Sequence, residues 1–160
     1  MAIIQVGMAD IKVCTVPDQL SSAGLGSCIG ICIWDKNRKI AGLAHIMLPS
    51  SAQTKGTVNR AKFADTAVVE TMIAMSKMGA SSTGLVAKIA GGAQMFKFSS
   101  ENDVLKVGER NAIAVVEHLK NNNIRLLAQD TGGNFGRTIF FEVDTGKLII
   151  KTIGHGEKVI

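Results

Sequence analysis

The sequence predicts an α/β fold: a layered sandwich of largely antiparallel, mixed β-sheet with two main helices on one face. Three observations carry this. Eight short β-like runs are each bounded by Gly, Asn, Asp or Ser. Two longer segments repeat apolar residues at three- and four-residue spacing. Hairpin-like pairs of runs stand at both ends of the chain, which implies antiparallel pairing and helices that cover one sheet face.

The β-like runs are residues 3–7, 11–16, 28–34, 39–48, 85–90, 124–130, 137–143 and 147–153. The first helical segment spans 58–78, where Ala61, Ala64, Val68, Met72 and Met75 form one stripe. Thr57 is its expected N-cap and Gly79 its stop. The second spans 109–120, with Ile113, Val116 and Leu119 on one side. Glu109 suits its positive end, and Asn121-Asn122-Asn123 closes it. The 160 residues make one domain of ordinary size, 1–160, without a linker or an internal repeat.

Composition narrows the function classes. A hydrophobic fraction of 46% against 19% charged residues is globular, not disordered. The longest apolar run, near Cys28 to Trp34, is far shorter than the roughly 20 residues a membrane-spanning helix needs. The N-terminus has no basic region ahead of its apolar residues and reads as a strand, so a cytoplasmic location is expected. Three cysteines, an odd number, point to free thiols in a reducing compartment. No Cys-x-x-Cys pair occurs and the histidines are scattered, so no metal site is expected. The net charge of +5 suits a partner with an acidic surface. Basic residues stand singly, and six Phe and one Trp offer little base stacking, so nucleic acid is not the expected partner.

The most informative stretch runs from Gly24 to His45. Two apolar runs flank the polar turn Asp35-Lys36-Asn37-Arg38, a hairpin signal. Placing Trp34 opposite Lys39 sets Cys28 directly opposite His45. Directly opposed residues share a face, with β-carbons about 4.5–5.5 Å apart, close enough for a thiol and an imidazole to share a proton. A neighbouring histidine lowers a thiol pKa by stabilising the thiolate, which is the reactive form. Gly24-Leu25-Gly26-Ser27 precedes the cysteine. Its glycines let backbone approach a substrate, so Gly26 and Ser27 are candidates for oxyanion support.

A plainer reading stands beside this one. A cysteine in an apolar strand is ordinarily a small buried hydrophobe, and Cys14 and Cys32 are read so. A histidine in such a strand is ordinarily structural. The run from Gly24 to Gly30 approximates a dinucleotide fingerprint, but its third glycine comes one residue late and no helix follows. Gly91-Gly92 and Gly132-Gly133 lack the Lys-Ser/Thr of a phosphate loop and read as turns after strands.

Several blocks together resemble one family. They are Gly24-Leu25-Gly26-Ser27-Cys28, Ala44-His45-Ile46-Met47-Leu48-Pro49, Phe63-Ala64-Asp65, Lys88-Ile89-Ala90-Gly91-Gly92-Ala93-Gln94-Met95-Phe96, Gly108-Glu109-Arg110-Asn111, Asp130-Thr131-Gly132-Gly133-Asn134-Phe135-Gly136-Arg137 and Thr145-Gly146-Lys147. In this order they resemble the chemoreceptor glutamine deamidases of bacterial chemotaxis, the CheD family. The resemblance implies a layered α/β fold similar to cysteine-dependent toxin deamidases. It implies a protein-glutamine glutaminase working by papain-like logic, with Cys28 as nucleophile and His45 as base. The family's third catalytic position is a threonine six residues before the cysteine; Ser22 stands there and keeps the hydroxyl.

The resemblance further implies the cytoplasmic helices of chemoreceptors as protein substrate. It implies a CheC-type phosphatase as partner, an exposed loop at Gln94, Met95 and Phe96, and no cofactor; that loop is read either as partner-binding or as a strand-ending turn with Phe96 tucked inward. An alternative is a regulatory binding module that stimulates the phosphatase and carries a vestigial site.

Overall fold

The computed structural model describes residues 1–95 and 106–160. In chain order the elements are β1 (Ile3–Gln5), β2 (Ile11–Thr15), β3 (Gln19–Leu25), β4 (Ile29–Asp35), β5 (Ile40–Ile46), α1 (Ala64–Lys77), β6 (Val86–Gly91), α2 (Val107–Asn121), β7 (Arg125–Thr131), β8 (Arg137–Glu142), β9 (Leu148–Thr152) and β10 (Gly156–Val159). They form two five-stranded sheets. One has the order β1-β3-β8-β9-β10 and the other β2-β5-β4-β6-β7. Pairing is antiparallel except for β1 with β3 and β6 with β7. The fold is the expected layered α/β sandwich, with both helices on one face of the second sheet.

Strand alternation sorts the core into two layers. Along β4, Ile29, Ile31 and Ile33 join the cluster that holds Ala64, Ala67, Val68, Met75, Val115 and Leu119 of the helices. Cys28 and Cys32 turn the other way. They join Leu20, Leu25, Ile139, Phe141 and Ile150 between the sheets. Buried on both faces, β4 and β5 are apolar almost throughout, which is why they read so plainly in the sequence. Trp34 ties the sheets together. Its Nε1 donates to Val143 O at 2.8 Å, and its ring meets Phe141 edge-on at 6.0 Å.

Two strands lay outside the expected set. β3 carries Ser21, Ser22 and Gly24, residues of low strand propensity, and buries both serines by pairing with β8. β10 is exposed throughout and exists by pairing with β9. The first helix starts at Ala64 rather than 58, with Phe63 instead of Thr57 at its N-cap. The residues ahead of it are drawn off by the end of β5: Met47 N and Leu48 N both donate to Lys62 O, and Ala64 N to Leu48 O. Gly79 does end the helix region, at φ +102°. Met75 is core and Met72 packs beside it, while Met78 is exposed at the helix end.

The β4–β5 register differs from the expected one by two residues. The turn is residues 36–39, Lys39 has φ +54°, and Asp35 pairs with Ile40. Asp35 accepts from Arg38 N and Ser81 N, so it is held at the ladder's end. Gly30, not Cys28, therefore lies opposite His45. A shift of two keeps every side chain on its face, so Cys28 becomes the diagonal neighbour of His45 on the inter-sheet side.

Helix α1 lies close upon β5 because Gly42 has no side chain. A β-carbon there would come within 2.5 Å of Thr71 Cγ2 and 3.2 Å of Met75 Cγ. Gly42→Ala is expected to lower stability by about 1–3 kcal/mol, the usual cost of overpacking, as read from the urea midpoint.

Candidate active site

Ser22, Cys28 and His45 come from β3, the loop before β4, and β5. His45 is fully buried between the sheets. Its Nδ1 lies 2.8 Å from Ser22 Oγ, and Ser22 Oγ also donates to Val6 O at 2.6 Å. A carbonyl can only accept, so the hydroxyl's one hydrogen goes to Val6. The ring nitrogen must then be the donor in the other bond. This sets the tautomer: Nδ1 carries the proton and Nε2 presents a bare lone pair. Nε2 has no hydrogen-bond partner among the described residues. Ser22 pairs with Ile139 of β8, whereas Ser21 pairs with Phe140 on the opposite face. Alternation alone thus decides which serine meets the histidine.

Cys28 is 8% exposed, more than Cys14 at 3% or Cys32 at 0%. Gly26 and Ser27 just before it reach the surface. Three successive carbonyls of this loop are tied down. Gly26 O accepts from Ala93 N at 2.8 Å, Cys28 O from Gly92 N at 2.9 Å, and Ser27 O from the Asn111 side chain at 2.9 Å. Carbonyl and following N–H point opposite ways across a trans peptide, so tying these oxygens directs the Ser27 and Cys28 N–H groups away from the straps. Neither N–H donates to another residue among the described residues. Gly26 N–H is used within the loop, on Gly24 O at 3.0 Å, so Gly26 supplies conformation rather than a donor.

Glycine is required where the straps pass. Gly91 has φ +119°, and a β-carbon there would fall 2.1 Å from Cys28 O. Gly92 has φ +68° and touches the start of α2 at Gly108. Met95, exposed, lies over Gly26. Gln94 N donates to Gly133 O. Phe96, the third residue of the expected partner loop, lies outside the described residues.

Burial moves both titrating groups towards neutrality. It pushes the Cys28 thiol up, while the residue's own backbone N–H pulls it part of the way back. It pushes the His45 imidazole down. The lowered thiol pKa expected from the sequence is therefore not found, because burial is the larger influence on the thiol. Burial and the charge of Asp18 push the Cys14 thiol up to about 11, and burial pushes the Cys32 thiol further still. A cavity of about 410 Å³ opens past the end of β5, lined by Leu48, Pro49, Phe63, Val107 and Arg110 among others. Among the described residues no cluster of His, Cys, Asp or Glu could hold a metal, and no helix is long and apolar enough to cross a membrane.

A partly accessible thiol, an imidazole with a fixed tautomer and two amide donors that serve no other residue are what acyl chemistry at sulfur requires. A family model described as CheD chemotactic sensory transduction matches residues 47–152. The chain is 61% identical over 158 residues to a protein of Syntrophomonas wolfei named probable chemoreceptor glutamine deamidase CheD, covering 99% of this chain and 98% of the relative. It is 47% identical over 159 residues to the chemoreceptor glutamine deamidase CheD of Bacillus subtilis, covering 99% and 96%. A relative in Desulfitobacterium hafniense, named probable chemoreceptor glutamine deamidase CheD, is 53% identical over 158 residues, covering 99% and 98%. The chain belongs to the CheD family. The family match begins after His45, and the relatives extend it over the whole chain.

Two outcomes are expected. Iodoacetamide near pH 8 labels Cys28 ahead of Cys14 and Cys32, as read by peptide mass spectrometry. The buried His45 ring resists the proton that the unfolded chain accepts below its ordinary pKa of 6.5. Stability is therefore fully present above pH 6.5 and falls as pH drops through that value towards the folded pKa. His45→Gln should flatten the melting temperature between about pH 6.5 and 5.

Proposed function

We propose that this protein deamidates glutamine side chains on the cytoplasmic helices of chemoreceptors, with Cys28 as nucleophile, His45 as general base and Ser22 as the group that orients His45. The observation that carries the mechanism is the Ser22–His45 bond, because it leaves Nε2 bare to take a proton. The names of the relatives support the substrate.

The chemistry follows from the resting charge state. Cys28 and His45 start neutral, so the thiol proton passes to Nε2 as sulfur attacks the carboxamide carbon. The carbonyl oxygen gains charge and is met by the N–H groups of Ser27 and Cys28. The imidazolium returns its proton to the leaving nitrogen, and ammonia departs from a thioester. Water, deprotonated by Nε2, then attacks the thioester, and glutamate and the thiol are released. Each cycle consumes one water and one carboxamide and yields one ammonia and one carboxylic acid. Through the cycle Ser22 Oγ accepts from Nδ1–H, which stabilises the imidazolium when it forms.

The net charge of +5 favours encounter with an acidic helical surface. Action there places the protein in the cytoplasm. Met95, exposed beside the nucleophile loop, supports assigning a CheC-type phosphatase to the same face, in competition with the receptor.

Incubation with purified receptor fragments should add about one dalton at individual glutamines, detected by mass spectrometry. Cys28→Ala should abolish the gain, and His45→Ala should slow it by about 10²–10⁴-fold. Ser22→Ala should cost about 10–100-fold, the worth of one hydrogen bond to a charged ring, while Ser22→Thr keeps activity. Bound fragments that gain no mass from the natural chain would overturn the reading.

A further inference from the structure

The β4–β5 ladder that carries the catalytic pair stops one rung short of the nucleophile. Its last pair is Ile29 with Ile46. The next would be Cys28 with Met47, but Met47 N turns away to Lys62 O. The backbone on both sides of this gap is met by one side chain. Asn111, fully buried one turn into α2, donates from Nδ2 to Ser27 O at 2.9 Å and to Met47 O at 3.0 Å. Two carbonyls can be served only by the NH₂ end of the amide, so its orientation follows from its partners.

We propose that Asn111 is a positioning residue for the thiol–imidazole pair: its amide replaces the missing rung and sets the nucleophile loop against the end of the base strand. This rests on the deamidase reading of Cys28 and His45. The two hydrogens of a planar amide leave at a fixed angle, so the two carbonyls are held in fixed relation. Ser27 immediately precedes Cys28, and Met47 lies two residues beyond His45. A shift of either carbonyl is therefore a shift of the reacting groups. The residue is costly in both other respects. Asparagine is a poor helix former, and Asn111 Oδ1 is buried without a partner among the described residues. A side chain present only to fill the space would be apolar. The two donated bonds are what this position gains from an amide.

The test compares Asn111→Leu, Asn111→Asp and Asn111→Ala with the natural chain and with His45→Ala. One readout is steady-state deamidation of receptor fragments. The other is the rate of Cys28 alkylation by iodoacetamide against pH. Asn111→Leu is expected to lower kcat by about 10–100-fold, as a displacement near 1 Å does. KM should change by less than about twofold, and the alkylation profile should move to higher pH, towards that of His45→Ala. Asn111→Asp should lose more, since a carboxylate would face two carbonyls. Asn111→Ala is smaller and serves if Asn111→Leu does not fold. Variants with a lower melting temperature but natural kcat and an unmoved alkylation profile would overturn the proposal. A natural chain that alkylates with a His45-dependent profile yet deamidates nothing would overturn the deamidase reading alone. In that case the shift of the alkylation profile still decides the role of Asn111.

Discussion

The burial of one neutral imidazole between two sheets is the constraint on which the site depends. His45 faces a layer of Leu25, Leu43 and Ile139, where a charged ring would be expensive. The layer supplies one polar partner from the opposite sheet, the Ser22 hydroxyl, itself committed to Val6. The sheets must therefore be packed before the tautomer is defined. Trp34, pinned to Val143, and Gly30, whose missing side chain leaves room for Ile139 and Leu25, keep them at that separation.

The loop before β4 obeys a second constraint. Its carbonyls are all met from one side, by the backbone of Gly92 and Ala93 and by a side chain of α2. The consequence is electrostatic as well as structural. With these oxygens engaged, the Ser27 and Cys28 N–H groups are held in place, as the proposed oxyanion support would need. The glycines follow from this. Gly91 lies against Cys28 O, and Gly108 lets α2 begin directly on the carbonyls of Gly92 and Ala93.

Burial also shapes the chemistry. A solvent-exposed thiol beside an imidazole would rest as an ion pair, whereas desolvation here pushes the thiol up and the imidazole down. Both groups are thus held towards their neutral forms.

Much of this was legible in the sequence. The central strands β4 and β5 are buried on both faces, so their apolar runs are unbroken, and polar residues mark the turn between them. The pairing of Cys28 with His45 on one face was readable because parity survives a register error of two. Ser22 as third member came from likeness to a family, and alternation along β3 then separates it from Ser21. Long-range contacts decided the rest. A strand built of serine and glycine, β3, exists only because β8 and β1 pair with it, and nothing local announces that. The start of α1 was set by the end of β5, which takes Lys62 and Phe63 for itself. Asn111 stands in one of the blocks that carry the family resemblance, but locally it reads only as a polar residue in a helix. Its partners lie 84 and 64 residues away along the chain, so only the packed structure could bring its amide to the gap in the ladder. The sequence by itself determined the fold class, the candidate thiol and imidazole and the face they share, because these follow from local periodicity and residue chemistry. The tertiary structure decided their protonation, their hydrogen-bond partners and their register, because these depend on desolvation and on groups distant in the chain.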